Sequence, residues 1–301
     1  MRYVEALGAR ISVIGLGTWQ FGSREWGYGP DYAGKTALEL VHRSLELGIN
    51  LIDTAEMYGR GSSEKICGRA ISADREGYFM ATKFTPLLPL PPVLITHGYR
   101  SASRLGVKEI DLYQMHWPNP AFPISMQIRA MGTLLERGLV KNVGVSNYSL
   151  TQWLKAEKAL GHPILSNQVH YSLLSRKPDL ELVPYAQANS RIIIAYSPLE
   201  QGALTGKYGV HSQKTGVRRV NKFLRPQGIA KTAPLMEELV RIAEEKSASV
   251  SQVALAWLVS QPNVVAIPGA SAVKQLEMNA ASSDLELTDA QWETLASYRP
   301  F

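Results

Sequence analysis

The sequence predicts an α/β protein, a closed (β/α)8 TIM barrel with an N-terminal β-hairpin and a long loop after its seventh strand. Three observations carry that reading. Short β-branched apolar runs recur along the 301 residues, most of them followed by apolar residues at helix spacing. The runs are apolar on both faces, as strands of a helix-covered parallel sheet must be. Eight such units fit one chain of this length, so 1–301 is read as a single barrel domain. A doubly wound open sheet is the rival. Its usual sign, Gly-x-Gly-x-x-Gly at the start of a βα unit, is missing: Gly15-Leu16-Gly17 runs into Thr18-Trp19-Gln20.

Two apolar stretches, 2–7 and 10–12, turning at Gly8-Ala9, predict the hairpin. The first barrel strand is expected over 13–16. A helix follows over 36–47, where Leu38, Val41 and Leu45 recur at helix spacing until Gly48, a residue tolerant of positive φ, stops it. Strands are then expected over 51–53, 78–82, 110–115, 140–145, 165–169 and 192–196, with 264–267 as the eighth. Between them lie helices over 62–70, a stretch ending near Leu105-Gly106, 124–137 before Gly138, 149–160 before Gly161, and 180–188. The Pro-rich patch 86–92 reads as a rigid loop leading into a helix. The irregular stretch 209–231, with Arg218, Arg219, Lys222 and Arg225, is too long for an idle connection and reads as a lid.

Composition removes whole classes. With 45% hydrophobic and 19% charged residues, neither a disordered nor a collagenous chain fits. Lys plus Arg number 32 against 26 Asp plus Glu, a formal +6, but the basic residues are scattered; no nucleic-acid partner is expected, only a mild attraction for small anions. Cys67 is the single cysteine, which excludes an intramolecular disulfide and a Cys-rich metal site. No stretch approaches 18 uninterrupted apolar residues, and Met1 to Glu5 carries no apolar signal region. A cytoplasmic protein without a membrane partner is therefore expected.

In such a barrel the chemistry lies at the C-terminal ends of the strands. Asp53 ends the second, Lys83 the third and His116 the fourth, while Tyr58 follows Asp53 by five residues, close enough to fold over the same mouth. Singly each has a bland reading: a helix cap, a surface lysine, a core histidine, a rim aromatic. Together they describe a proton donor. A free tyrosine titrates near 10. An adjacent ammonium stabilises its phenolate, a carboxylate fixes that ammonium, and a histidine can bind a carbonyl oxygen. Other chemistries lack their parts. The six histidines include no His-x-His or His-Glu-x-x-His, so no metal is expected. Gly144-Val145-Ser146-Asn147 lacks the second glycine of a serine elbow, and only Glu200 could be a second acid for a glycosidase. Trp19, Trp26, Tyr28, Phe84 and Trp117, with Tyr58 and His116, are expected to make the substrate pocket apolar and aromatic; for Trp19 barrel packing is the alternative.

On these residues the sequence resembles the aldo-keto reductases across essentially its whole length. The motifs that carry the resemblance are Gly15 to Trp19, Asn50 to Gly59, Ala81 to Lys83, Asp111 to His116, Gly144 to Asn147, Asn167-Gln168, Ala195 to Leu199 and Ile267 to Ser271. The match is closest to a microbial and plant branch that also includes potassium-channel β-subunits. The resemblance implies NADP(H)-dependent reduction of small-molecule aldehydes and ketones by hydride transfer, with Asp53, Tyr58, Lys83 and His116 as the catalytic tetrad and Tyr58 as general acid. It implies that Ser146, Asn147 and Gln168 hold the nicotinamide carboxamide and that Tyr196 stacks on the ring. Gly17, Thr18, Trp19, Asp53 and Ser197 would border the cofactor. Leu199, Gln201 and Lys207 would wrap the pyrophosphate, and Gly269, Ser271, Gln275 and Asn279 the adenosine phosphate. Arg218, Arg219 or Lys222 could close over the pyrophosphate, and Lys274 could help meet a 2′-phosphate. The family's lean and the chain's positive charge imply NADP(H); Ser271 and Ala272 stand where much of the family has Lys or Arg, which weakens the grip on a 2′-phosphate and leaves NAD(H) possible. A cofactor-sensing regulatory subunit with vestigial reductase activity, like the channel-associated relatives, is the alternative.

Overall fold

In the computed structural model, which describes residues 1–22, 32–209, 212–213 and 216–299, a two-stranded antiparallel hairpin precedes an eight-stranded parallel sheet. The hairpin is β1 (Tyr3–Ala6) and β2 (Ala9–Ser12). Ala6 pairs with Ala9, so its turn residues are Leu7 and Gly8, one position earlier than the sequence suggests. Both have positive φ, 49° and 79°, the two-residue geometry that matches strand twist.

The barrel begins with β3 (Leu16–Gly17), α1 (Ala37–Glu46), β4 (Leu51–Asp53), α2 (Ser62–Ile71), β5 (Phe79–Phe84) and α3 (Pro91–Leu105). It continues through β6 (Ile110–Met115), α4 (Ile124–Glu136), β7 (Val140–Ser146), α5 (Leu150–Leu160), β8 (Ser166–His170), α6 (Leu182–Ala188) and β9 (Ile192–Tyr196). The chain ends with α7 (Pro226–Glu245), α8 (Val250–Val259), β10 (Val264–Ala266), α9 (Val273–Ala281) and α10 (Asp289–Ser297). The eight strands β3 to β10 pair in chain order, every pair parallel. The first strand expected over 13–16 is divided between two neighbours. Leu16 and Gly17 pair with β4, while Ile14 and Gly17 bridge to Ala266 and Gly269, and this split closes the barrel.

The hairpin plugs one end. Ala6, Ala9 and Ile11 are buried with Leu51, Phe79 and Ile192, the first residues of β4, β5 and β9. That leaves the strand C-termini as the open end. In β5 the alternation of side chains sends Phe79, Ala81 and Lys83 inward and Met80, Thr82 and Phe84 toward the helices. Inward positions are thus apolar at the plugged end and polar at the mouth. Local signals set the helices: α5, α8 and α10 each start with a capping box, from Ser149, Ser249 and Thr288, and Gly106 and Gly161 close α3 and α5 at φ 67° and 75°. The irregular stretch expected to 231 ends at Arg225, because Pro226 opens α7 at a position where its missing N–H costs nothing.

Candidate active site

The mouth of the barrel holds a cavity of about 790 Å³, within the usual range of cofactor and small-molecule sites. At its base Lys83 is fully buried. Its Nζ donates to Asp53 Oδ1 at 2.5 Å and to the Thr54 carbonyl at 2.8 Å, and lies 3.3 Å from the Tyr58 hydroxyl. The other Asp53 oxygen, Oδ2, accepts from Gln168 at 2.7 Å and from Gln114 at 3.3 Å. Both oxygens of this buried carboxylate thus accept hydrogen bonds, three in all, which is what allows the ion pair to persist inside the barrel.

The backbone after β4 brings Tyr58 back over Lys83. Thr54 N–H donates to the Ala81 carbonyl and Glu56 N–H to that of Lys83, lacing the segment to the end of β5. Glu56 accepts from Thr85 N–H at 2.6 Å and lies 2.7 Å from His97 Nδ1. Gly59 follows at φ 54°, so close to Gly22 that a Cβ there would lie 2.7 Å from the Gly22 carbonyl. Only glycine fits beside the Tyr58 turn. The Tyr58 ring meets His116 edge to face, centroids 5.8 Å apart.

Three ionisable groups meet at the base of the site. Burial raises Tyr58 above its ordinary value, with Lys83 pulling the other way and Asp53 adding to the rise. The ammonium does pull the phenol's value down, as its charge requires, but desolvation outweighs that pull. The residue is partly exposed and borders the cavity. Burial also opposes the Lys83 charge, but Asp53 and Tyr58 more than offset it and its pKa stands above the ordinary one. His116 is pushed down to about 3 by burial and by the Lys83 ammonium, so its imidazole is neutral; its Nδ1 is buried without a hydrogen-bond partner.

From this base the cavity runs outward past groups of changing chemistry. Ser146, Asn147 and Gln168 border it, as do Gly17, Thr18 and Trp19. Asn147 sits at φ 60° with its amide donating to Ser146 Oγ and accepting from the Tyr196 hydroxyl at 3.0 Å. Tyr196 forms the wall beyond, backed by His170. Ser197, Leu199 and Gln201 continue it, followed by the cations Lys207 and Arg218. Ser249 and Ser251 at the start of α8 face the same space. Gly269, Ser271, Gln275 and Asn279 also line it, and there Gln275 Oε1 accepts from both N–H and Oγ of Ser271. An aromatic wall, side-chain amides, two cations, a helix N-terminus and serine hydroxyls around one cavity suit a dinucleotide.

Trp19, Met57 and Trp117 supply the apolar lining near Tyr58 and His116. Phe84 does not belong with them. It is fully buried on the helix side of β5, edge to face with His97, because neighbouring strand residues point oppositely and Lys83 holds the inward place. Trp26 and Tyr28 lie outside the described residues. Arg218 reaches the cavity, with its Nε donating to the Gln201 carbonyl at 3.1 Å, whereas Arg219, Lys222 and Lys274 do not border it. Sequence reading missed Gln114, whose inward position follows from strand parity, and His170, Ser249 and Ser251, which carry no local signal. Cys67 is buried, its thiol pushed up to about 12 by desolvation, and offers no nucleophile. Among the described residues no group of three His, Cys, Asp or Glu could hold a metal, and no helix is long and apolar enough to cross a membrane.

Residues 13–299 match the model of the aldo/keto reductase family. The chain is 48% identical over 305 residues to an uncharacterized oxidoreductase of Mycobacterium tuberculosis, covering all of this chain and 94% of the other. Among solved structures it is similar to a glycerol dehydrogenase from Gluconobacter oxydans, with 29% identity and a TM-score of 0.90 over 99% of this chain and 96% of that one. An aldo-keto reductase from Klebsiella pneumoniae in complex with NADPH shares 26% identity at a TM-score of 0.81, over 99% and 95% of the two chains.

Proposed function

The chain belongs to the aldo/keto reductase family of oxidoreductases, and from that premise we propose that it reduces aldehydes and ketones to alcohols with NADP(H), Tyr58 being the proton donor. The observation that carries the proposal is Lys83 Nζ, buried between Asp53 Oδ1 and the Tyr58 hydroxyl at the base of a dinucleotide-sized cavity. The reduced nicotinamide, when bound, supplies the hydride to the carbonyl carbon. Everything else falls to the chain. Tyr58 passes its proton to the carbonyl oxygen, and the phenolate left behind is stabilised by the ammonium 3.3 Å away. Because burial opposes that phenolate, the rise and fall of negative charge on Tyr58 depends on Lys83, and Lys83 keeps its proton because Asp53 is fixed by two glutamines. His116, neutral across the working range, can donate one N–H to the substrate oxygen without competing as an acid.

In this reading Ser146, Asn147 and Gln168 meet the nicotinamide carboxamide and Tyr196 its ring. Lys207 and Arg218 meet the pyrophosphate with Leu199 and Gln201. Ser271, Gln275 and Asn279 lie at the adenosine end, supported by the start of α9. The Klebsiella relative in complex with NADPH supports the choice of cofactor; because the 2′-phosphate position offers Ser271 rather than a cation, the preference over NAD(H) is modest and NAD(H) is the alternative. Trp19, Met57 and Trp117 favour small apolar carbonyls. The test is consumption of NADPH by the purified protein with an aromatic aldehyde. Saturable turnover is expected; no turnover over a panel of aromatic, aliphatic and dicarbonyl compounds would overturn the assignment.

A further inference from the structure

One cluster of ionisable side chains faces the cavity without entering the reaction above. His170, the last residue of β8, stacks on the ring of Tyr196 with centroids 5.4 Å and planes 11° apart. Its Nε2 lies 2.7 Å from Glu200 Oε1, the oxygen that also accepts from the Ser172 hydroxyl, and its Nδ1 is 3.3 Å from Ser175 Oγ. Glu200 is 3% exposed, a carboxylate held inside the protein by these donors. It also belongs to an unusual turn. Ser197, Glu200, Gln201 and Gly202 have φ of 51°, 48°, 54° and 107°, a region that residues with a Cβ enter only when the surroundings hold them there. The same turn accepts from Arg218 Nε at the Gln201 carbonyl and from Asn221 Nδ2 at the Glu200 carbonyl, at 3.1 and 3.0 Å.

We infer that His170 and Glu200 are positioning residues for the cofactor: they tie the aromatic wall at Tyr196 to the left-handed turn 197–202, so that the two present one rigid surface. The inference rests on the NADP(H) reading. A buried carboxylate with two donors anchors a turn that its own backbone preferences would not keep. Without that anchor His170 and Ser172 lose their acceptor, the ring behind Tyr196 is free to turn, and the cofactor must order both elements as it binds. The cluster's hydrogen bonds run to Ser172 and Ser175, away from Tyr58 and Lys83. Its loss therefore weakens binding and leaves the proton transfer in place.

The experiment titrates NADPH into the intact protein by tryptophan-fluorescence quenching and measures kcat on an aromatic aldehyde at saturating NADPH. Glu200→Ala is expected to raise the NADPH Kd about tenfold, the effect of stripping one partner from a buried hydrogen bond, with kcat at saturation little changed. Glu200→Gln keeps an acceptor oxygen and is expected to recover most of the affinity. His170→Ala should weaken binding similarly, and the double variant no further, since the two act as one unit. A Glu200→Ala protein whose Kd stays within about twofold of wild type, or whose loss is confined to kcat, would overturn the inference. Should Glu200→Ala fail to fold, His170→Phe keeps a ring against Tyr196 while removing the bond to Glu200. A raised Kd supports the inference and an unchanged one overturns it. A wild type that neither binds NADPH nor reduces a carbonyl overturns the functional reading itself, and shows this before any variant is made.

Discussion

Replacing Lys83 by Met separates what the buried ammonium does for the fold from what it does for the chemistry. The side chain is fully buried and makes its contacts to Asp53, the Thr54 carbonyl and Tyr58. Removing one partner of a buried pair ordinarily costs about 3–5 kcal/mol, because the other charge is left unpaired. Here Asp53 keeps Gln168 and Gln114 on its second oxygen, so the lower end, about 3 kcal/mol, applies. Against a total stability of about 5–15 kcal/mol the variant stays folded, with a melting temperature lower by about 5 °C. Activity falls much further. With the ammonium gone, burial acts unopposed on Tyr58, and the loss is that of a general acid, about 10² or more in rate. Because the two residues form one unit, Tyr58→Phe combined with Lys83→Met is expected to be little worse than either alone. The assay pairs a thermal melt with NADPH-dependent turnover of an aromatic aldehyde for both single variants and the double. Losses in rate that multiply in the double variant, or a Lys83→Met enzyme retaining half its activity, would refute the coupling.

The low value of His116 carries a signed consequence for pH. In the unfolded chain this histidine takes up its proton near 6.5, in the folded protein at about 3, so its contribution to stability is complete above 6.5 and is lost as pH falls toward 3. The slope from this one group is at most about 1.4 kcal/mol per pH unit, and denaturant titrations of His116→Gln between pH 7 and 4 should show a shallower decline than wild type; an equal decline contradicts the assignment. At the adenosine end, Ser271→Arg adds a charge-assisted bond of about 1.5–3 kcal/mol to a 2′-phosphate, raising the NADPH over NADH preference about tenfold or more. Wild type should discriminate on the order of tens-fold, and equal or tighter binding of NADH in paired fluorescence titrations would count against the NADP(H) reading.

The sequence makes the candidate proton-donor arrangement readable because barrel strands are short and mostly apolar: Asp53, Lys83 and His116 each stand at or beside the end of one. Where reading fails, a particular physical cause is visible. Phe84 follows Lys83 directly, and proximity in sequence suggests the same pocket, but adjacent strand positions face opposite sides. The first strand is displaced because residues 13–17 divide their hydrogen bonds between β4 and the region of β10, a closure that no local pattern records. Helix α8 is apolar on nearly every side, so it shows no amphipathic period, and with it Ser249 and Ser251 escape notice as cavity residues. The His170–Glu200 pair joins positions 30 apart, and the turn carrying Glu200 adopts left-handed backbone at residues with no intrinsic preference for it. Only tertiary packing produces such a site.

The account depends most on Tyr58 as the proton donor, and the most direct measurement compares Tyr58→Phe with wild type for both NADPH affinity and the rate of aldehyde reduction. The hydroxyl is the one group removed; the ring can still meet His116 edge to face, and Lys83 keeps Asp53. The predicted result is NADPH affinity close to wild type and reduction slower by about 10² or more. A Phe variant that keeps more than about half the wild-type rate would contradict the mechanism.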